Sequence, residues 1–255
     1  MTTVHDVFSA LCAIAPLSLQ MDFDNSGFLL GHADRELHRV LLALDVSDEV
    51  VEEALRLQAE LIVSHHPLIF HPLKSMTDQS PEGRRLLKLA ENRIAVISMH
   101  TNLDIAEGGV NDTLMNALGA KTEAGLDEDG CGRIGVLDAK IPMQSFLSRC
   151  REALDCRGLR YVDAGRPVYR VAVMGGSGAD SLERAAALGC DTYVTADIKY
   201  HQFQRALELS LNLIDADHFS TENPVIPVLT EKLSAAFPEV RFQVSETHHP
   251  IIRFA

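Results

Sequence analysis

The sequence predicts an α/β protein with a largely parallel sheet. Short apolar runs recur along the chain, amphipathic segments with helix-capping residues fall between them, and polar residues of unusual type gather just after several of the apolar runs. Alternation of strand-like and helix-like segments is the pattern of layered α/β architecture.

The opening stretch MTTVHDVFSALCAIAP lacks a basic region and carries His5 and Asp6, so it reads as a helix and not as a signal peptide. RVLLALDV (39–46) follows as a buried strand. Ser47 caps the next helix (47–59), which has acidic residues in its first turn where they face the positive end of the helix dipole. ELIVS (60–64) is the next strand, and Ser80-Pro81-Glu82 opens a helix to about Asn92 with a cap and a first-position proline. IAVISM (94–99) is a strand, and GGVNDTLMNALG (108–119) enters a helix. The second half repeats the alternation. RIGVL, YRVAVM (169–174), DTYVT, LNLIDA (211–216) and VRFQVS (240–245) read as strands; 143–157, the segment after Gly178, 198–209 and 221–236 read as helices. The polar, glycine-rich KTEAGLDEDGCGR (121–133) is the best boundary, giving domains over 1–125 and 126–255, with a C-terminal segment that can return to the first.

A chain of 255 residues with 46% apolar and 23% charged content is long enough for a sizeable core. No run approaches the roughly 18 apolar residues of a membrane span. The five cysteines are scattered, odd in number and without a Cys-x-x-Cys pair, which suits reduced thiols in a cytoplasm and argues against a thiolate zinc site. A formal charge of −13 disfavours broad nucleic-acid binding but leaves room for a small nucleotide in a locally basic pocket.

IVSHHPLIFHP (62–72) places His65 and His66 at the end of a strand, and two further strand ends carry similar chemistry. His100, Asn102 and Asp104 follow Met99; Asp215, Asp217 and His218 end the strand 211–216, with Glu222 four residues on. Ligands of open α/β sheets collect outside the carboxyl ends of the strands. The spacing His218-x-x-x-Glu222 puts both side chains on one helical face. Imidazole with carboxylate and no thiolate suits zinc, manganese, iron, nickel or cobalt. The donors exceed the three protein ligands usual for a catalytic zinc, and adjacent residues of an extended segment point apart, so two ions fit better than one. Simpler readings compete at several positions. A lone His66 would be a hydrogen-bonded core residue, His71 a surface or outer partner, and Asp45 a turn-former. Asp215 and Asp217 could also be turn-formers, while His248-His249 reads as incidental. His100 is equally suited to binding metal and to orienting a ligand or moving protons. GGSGAD (175–180), between a strand and a helix, offers the backbone N–H groups of Gly175, Gly176 and Gly178 to a phosphate, with Lys199 as a further cation; a tight turn explains the glycines and surface solvation the lysine equally well.

DNSG (24–27), SHHPLIF (64–70), HTNLD with GGVND (100–112), GGSGAD, TADIKYH (195–201) and DADHFSTE (215–222) resemble, in order, the blocks of the Nif-three-like family. Its bacterial members are often called GTP cyclohydrolase I type 2-like proteins. The resemblance implies two related α/β domains, a dinuclear metal site in the cleft at the strand ends, and a ring-shaped homohexamer. It implies His65, His66, Asp104, His218 and Glu222 as ligands of two divalent transition-metal ions, with His100 beside them as a catalytic candidate. The implied activity is attack of metal-bound water on a purine nucleotide, opening the imidazole ring of GTP with loss of formate. A metal-dependent phosphoesterase and a non-catalytic metal-holding scaffold stay open as alternatives. Phe23 stands where tryptophan is common in the family, Ala196 where glycine is usual, and THHPI differs from the usual Asn-Pro ending.

Overall fold

Ser47 and Ser80 begin two helices by the same physics: each side-chain oxygen accepts the N–H three residues on, from Val50 and from Gly83, and so satisfies a donor the helix cannot. These helices belong to the first of two units in the computed structural model, which describes residues 1–254. The first unit is Met1–Ala106 with Ile226–His249; the second is Glu107–Val225 with the chain from Pro250.

The first unit runs α1 (Val4–Ile14), β1 (Gly27–Leu30), β2 (Arg39–Ala43), α2 (Asp48–Leu57), β3 (Leu61–Ser64), α3 (Pro81–Glu91), β4 (Ala95–Ser98) and α4 (Thr101–Ile105). The second runs α5 (Val110–Ala117), β5 (Lys121–Gly125), β6 (Arg133–Ile141), α6 (Met143–Ala153), β7 (Arg160–Val162), β8 (Val168–Val173), α7 (Leu182–Ala187), β9 (Thr192–Thr195), α8 (Tyr200–Glu208), β10 (Asn212–Asp215) and α9 (His218–Glu222). Then α10 (Val225–Ala236) and β11 (Arg241–Val244) carry the chain back into the first unit.

The first sheet has the order β1-β4-β3-β2-β11 and is parallel except where β1 runs against β4. Strands β3 and β4 are buried along their whole length, as expected of parallel strands covered on both faces. One face packs on α2 and α3 through Leu41, Val50, Ala54, Ile62, Leu86, Leu89 and Val96. Ala43, Ser64 and Ser98 are level in the register, so β2, β3 and β4 deliver their following residues to one edge. The Ser64 and Ser98 hydroxyls, 2.8 Å apart, tie that edge together.

Past β11 the chain is pinned by a buried carboxylate. Glu53 on α2 accepts from the hydroxyls of Ser245 and Thr247 and from the N–H groups of Glu246 and Thr247. Burial would raise its pKa, but these bonds outweigh that and hold it below the ordinary value. A depressed carboxylate contributes stability above its unfolded pKa, about 4.3, and that contribution is lost as pH falls through the folded value. Glu53→Gln is therefore expected to cost about 2–3 kcal/mol at pH 7 in denaturant titration and to be nearly neutral in strong acid. An unchanged midpoint at pH 7 would contradict this.

The second sheet has the order β5-β6-β8-β9-β10-β7. Its centre, β8-β9-β10, is parallel, while β5, β6 and β7 join antiparallel. The predicted α/β class holds; parallel pairing dominates the first sheet and only the middle of the second. Strands β1, β5 and β7 escape pattern reading because each is a sheet edge without a clear apolar alternation, and β5 is mostly exposed. The glycine-rich stretch expected as a boundary is instead the β5–β6 hairpin of the second unit. The contacts divide the chain at Ala106, because Leu114, Met115 and Leu118 pack into the second core with Phe146, Cys150, Val171, Val194 and Ile214. The expected single helix over 221–236 is two helices, broken at Pro224, which has no N–H to continue α9. No helix among the described residues is long and apolar enough to cross a membrane.

Candidate metal centre

In the first unit His65, His66 and His100 form one cluster. Their ring centroids lie 4.9, 5.1 and 5.5 Å apart, and one ligand atom from each falls within 4.8 Å of the others. The two adjacent rings do not point apart, because β3 ends at Ser64 and the chain bends at once. The bend is held by the His66 N–H donating to Leu44 O and the Ser64 hydroxyl donating to His66 O.

Each ring is oriented through Nδ1. His65 Nδ1 donates to Met99 O at 2.8 Å, His66 Nδ1 to Asp45 at 2.7 Å, and His100 Nδ1 to Asp24 at 2.7 Å. A carbonyl or carboxylate oxygen can only accept, so Nδ1 carries a proton in all three rings, and in the neutral ring that places the lone pair on Nε2. Histidines that bind metal are commonly anchored this way. His65 is fully buried, and its Nε2 lies 3.7 Å from Asp104 Oδ1 on α4. Two donors about 2.1 Å from one tetrahedral ion are about 3.4 Å apart, so this pair suits a shared ion.

Asp24 holds more than His100. It also accepts from the Thr101 N–H and hydroxyl and from the Ser26 hydroxyl. Burial alone would raise its pKa, but these bonds and His100 hold it well below the carboxylate range. Asp45 behaves alike: burial would raise it, while His248 and His66 hold it well down. A turn-former by sequence, Asp45 is in the structure the partner that orients His66. His71 is exposed, with its ring 4.8 Å from that of Phe70.

In the second unit, β9 and β10 end level and β8 one residue short of them, delivering Asp197, Asp217-His218 and Gly175-Gly176. His218 Nδ1 donates to Asp197 at 2.8 Å, and its Nε2 lies 3.1 Å from Glu222 Oε2 one helical turn on. Burial would lower the His218 pKa, but Glu222 and Asp197 outweigh this and raise it to about 9. The two carboxylates thus favour a cation at this point. Asp217 caps α9 by accepting the Ser220 N–H, and Asp215 is taken by Arg160 and by the N–H groups of Ile198 and Asp217. Both are structural here.

The glycine loop does different work from the phosphate cradle expected of it. Its N–H groups are already used: Gly175 donates to Asn111 Oδ1, Gly176 to Thr221 Oγ1 and Gly178 to Thr195 Oγ1. Gly176 has φ +63°, and a Cβ there would lie 2.1 Å from Glu222 Oε1 and 3.0 Å from His218 Nε2. The glycine is required so that backbone can pass against this His–carboxylate pair. Lys199 is exposed and begins α8.

A protein of two α/β units, with anchored histidines and carboxylates at the carboxyl edge of each parallel strand group, belongs to the class able to hold metal ions. The chain belongs to the Duf34/NIF3 (NGG1p interacting factor 3) family, whose sequence model matches residues 2–250. It is 34% identical over 251 residues to a Clostridium perfringens protein named GTP cyclohydrolase 1 type 2 homolog, covering 95% of this chain and 96% of that one. A Nostoc protein of the same name is 40% identical over 209 residues, covering 76% of this chain and 77% of the relative. Among solved structures, a Bacillus cereus protein related to NIF3 superposes with TM-score 0.93 at 25% identity, covering 100% of this chain and 99% of that one. Reduced HcgD from Methanocaldococcus jannaschii gives TM-score 0.85 at 27% identity, covering 96% of this chain and 98% of its own.

Proposed function

We propose that this protein is a metal-dependent hydrolase acting on a nucleotide, in the manner the names of its relatives suggest, by hydrolytic opening of a purine imidazole with release of formate. The observation that carries the reading is the anchoring of His65, His66, His100 and His218 through Nδ1. Four imidazoles held through Nδ1, each with Nε2 as the atom a metal ion would take and two of them beside a carboxylate oxygen, are more than a core needs and match the chemistry of a transition-metal ligand set. In this reading His65, His66 and Asp104 of the first unit and His218 and Glu222 of the second hold two divalent ions. Bound ions of this kind act as Lewis acids and bring the ionisation of water toward neutral pH.

The rest of the chemistry falls to the chain. One water opens the imidazole ring to a formamide and a second releases formate. His100, with Nδ1–H fixed on Asp24, presents Nε2 as a base able to accept a proton and pass it to the departing nitrogen. His100→Ala is expected to keep both ions and lose about 10²–10⁴-fold in turnover, whereas His66→Ala loses ions and turnover together. Formate release from GTP by the metal-loaded protein, with elemental analysis of each variant, is the test. Loss of metal from His100→Ala would make that residue a ligand; no formate with any of several metals would overturn the hydrolase reading. The assembly in this reading is a homohexamer, expected as a mass near six chains in light scattering, and a stable monomer at micromolar concentration would exclude it.

A further inference from the structure

The chain just past β11 reaches back to the histidine cluster through one residue, His248. Its side chain is nearly buried, and Nε2 sits 3.0 Å from Asp45 Oδ2 and 3.2 Å from the Asp45 backbone nitrogen. The other Asp45 oxygen, Oδ1, accepts from His66 Nδ1 at 2.7 Å. Asp45 therefore stands between two imidazoles, one oxygen turned to each. It follows β2 in a bend and its side chain is 44% exposed, so neither regular structure nor packing alone fixes its rotamer.

Placement of His248 is itself determined. The Ser245 and Thr247 hydroxyls and the N–H groups of Glu246 and Thr247 converge on the buried Glu53 carboxylate, and the His248 N–H donates to Ser245 Oγ. This knot sets the direction in which the next side chain leaves the backbone. His249, its neighbour, is exposed.

We infer that His248 is a positioning residue for the metal centre: it holds Asp45 in the rotamer that anchors His66 and so sets the aim of His66 Nε2. The inference rests on the reading of His66 as a metal ligand, and one of its two readouts is independent of metal. Of the two contacts, only the one to the carboxylate bears on the rotamer: a protonated Nε2 donates to it, whereas a bare Nε2 accepts from the Asp45 amide and ties the backbone alone. Glutamine can do either with its terminal amide, whereas alanine can do neither.

The experiment uses the full-length protein with His248→Ala, His248→Gln, Asp45→Ala, the Asp45→Ala/His248→Ala double variant and His249→Ala. Cobalt(II) alone is titrated into metal-free protein, and ring nitrogen–proton NMR of His66 is recorded without metal. Removing a direct partner of a metal-binding histidine typically costs about 10–100-fold in affinity, so that is the expectation for Asp45→Ala. His248→Ala, one step further out, is expected to lose about three- to tenfold and to blur the single Nδ1–H tautomer of His66. His248→Gln should restore both, His249→Ala should match the parent, and the double variant should bind no more weakly than Asp45→Ala. A melting transition like the parent's checks that His248→Ala is folded; if it is not, His248→Gln against Asp45→Ala decides by the ring signals. Unchanged cobalt affinity and ring signals in His248→Ala, or losses that multiply in the double variant, would overturn the inference. Absence of cobalt binding in the parent would sink the ligand reading, and the ring signals would still decide whether His248 positions His66.

Discussion

Replacing His65 with alanine is expected to remove tight metal binding from the first unit while leaving a folded protein. His65 is fully buried, its Nδ1 fixed on Met99 O and its Nε2 facing Asp104 Oδ1. A ligand lost outright costs more than the roughly 10–100-fold of a lost outer partner. The stability cost is separate: a carbonyl bond is lost and a small void opens, together about 1–3 kcal/mol against a core supplied by α2, α3 and the sheet. Competition titration with zinc and denaturant unfolding of the metal-free protein would measure the two effects independently. Zinc affinity equal to that of the unaltered chain would remove His65 from the ligand set.

The second large effect is expected at a residue that carries no side chain. Gly176→Ala introduces a methyl group 2.1 Å from Glu222 Oε1 at a backbone angle of +63°. Left-handed backbone costs a non-glycine residue about 1–2 kcal/mol. The clash itself is relieved by swinging the end of the Glu222 side chain, which is cheap in steric terms and moves the carboxylate away from His218 Nε2, now 3.1 Å distant. A modest fall in melting temperature with a disproportionate fall in metal affinity is therefore expected. Calorimetry in the presence and absence of zinc would read both. If affinity falls only as far as stability does, Gly176 serves the fold and not the pair beside it.

Several features of the candidate centre are legible in the sequence. The doublet His65-His66, the spacing from His218 to Glu222, and the return of such residues after three separate apolar runs mark out residues that could hold a metal ion, because strand ends in open sheets are where side chains leave the packed layers together. His100 stood out for the same reason. What could not be read was the tier behind them. Asp45 and His248 are 203 residues apart, and nothing in THHP marks one of its two histidines as nearly buried and the other as exposed. The sequence leaves the glycine loop open to a phosphate or to a tight turn; in the structure its backbone donors meet Asn111, Thr221 and Thr195, and a Cβ at Gly176 would meet Glu222.

The same division runs through the fold. Local physics set the helices with a serine cap and the buried strands with continuous apolar runs, since capping bonds and two-sided burial act over a few neighbouring residues. The sequence by itself thus determined the α/β class, most of the central elements and the presence of histidines and carboxylates at the strand ends. Only the tertiary structure decided the edge strands β1, β5 and β7, whose pairing does not depend on apolar patterning. It alone assigned α5 to the second core and turned the polar stretch at 121–133 into a hairpin. It also selected, for each histidine, the acceptor that fixes its tautomer. Those acceptors come from chain segments far apart in sequence, and their partnership follows from the three-dimensional packing of the sheets, which no local pattern encodes.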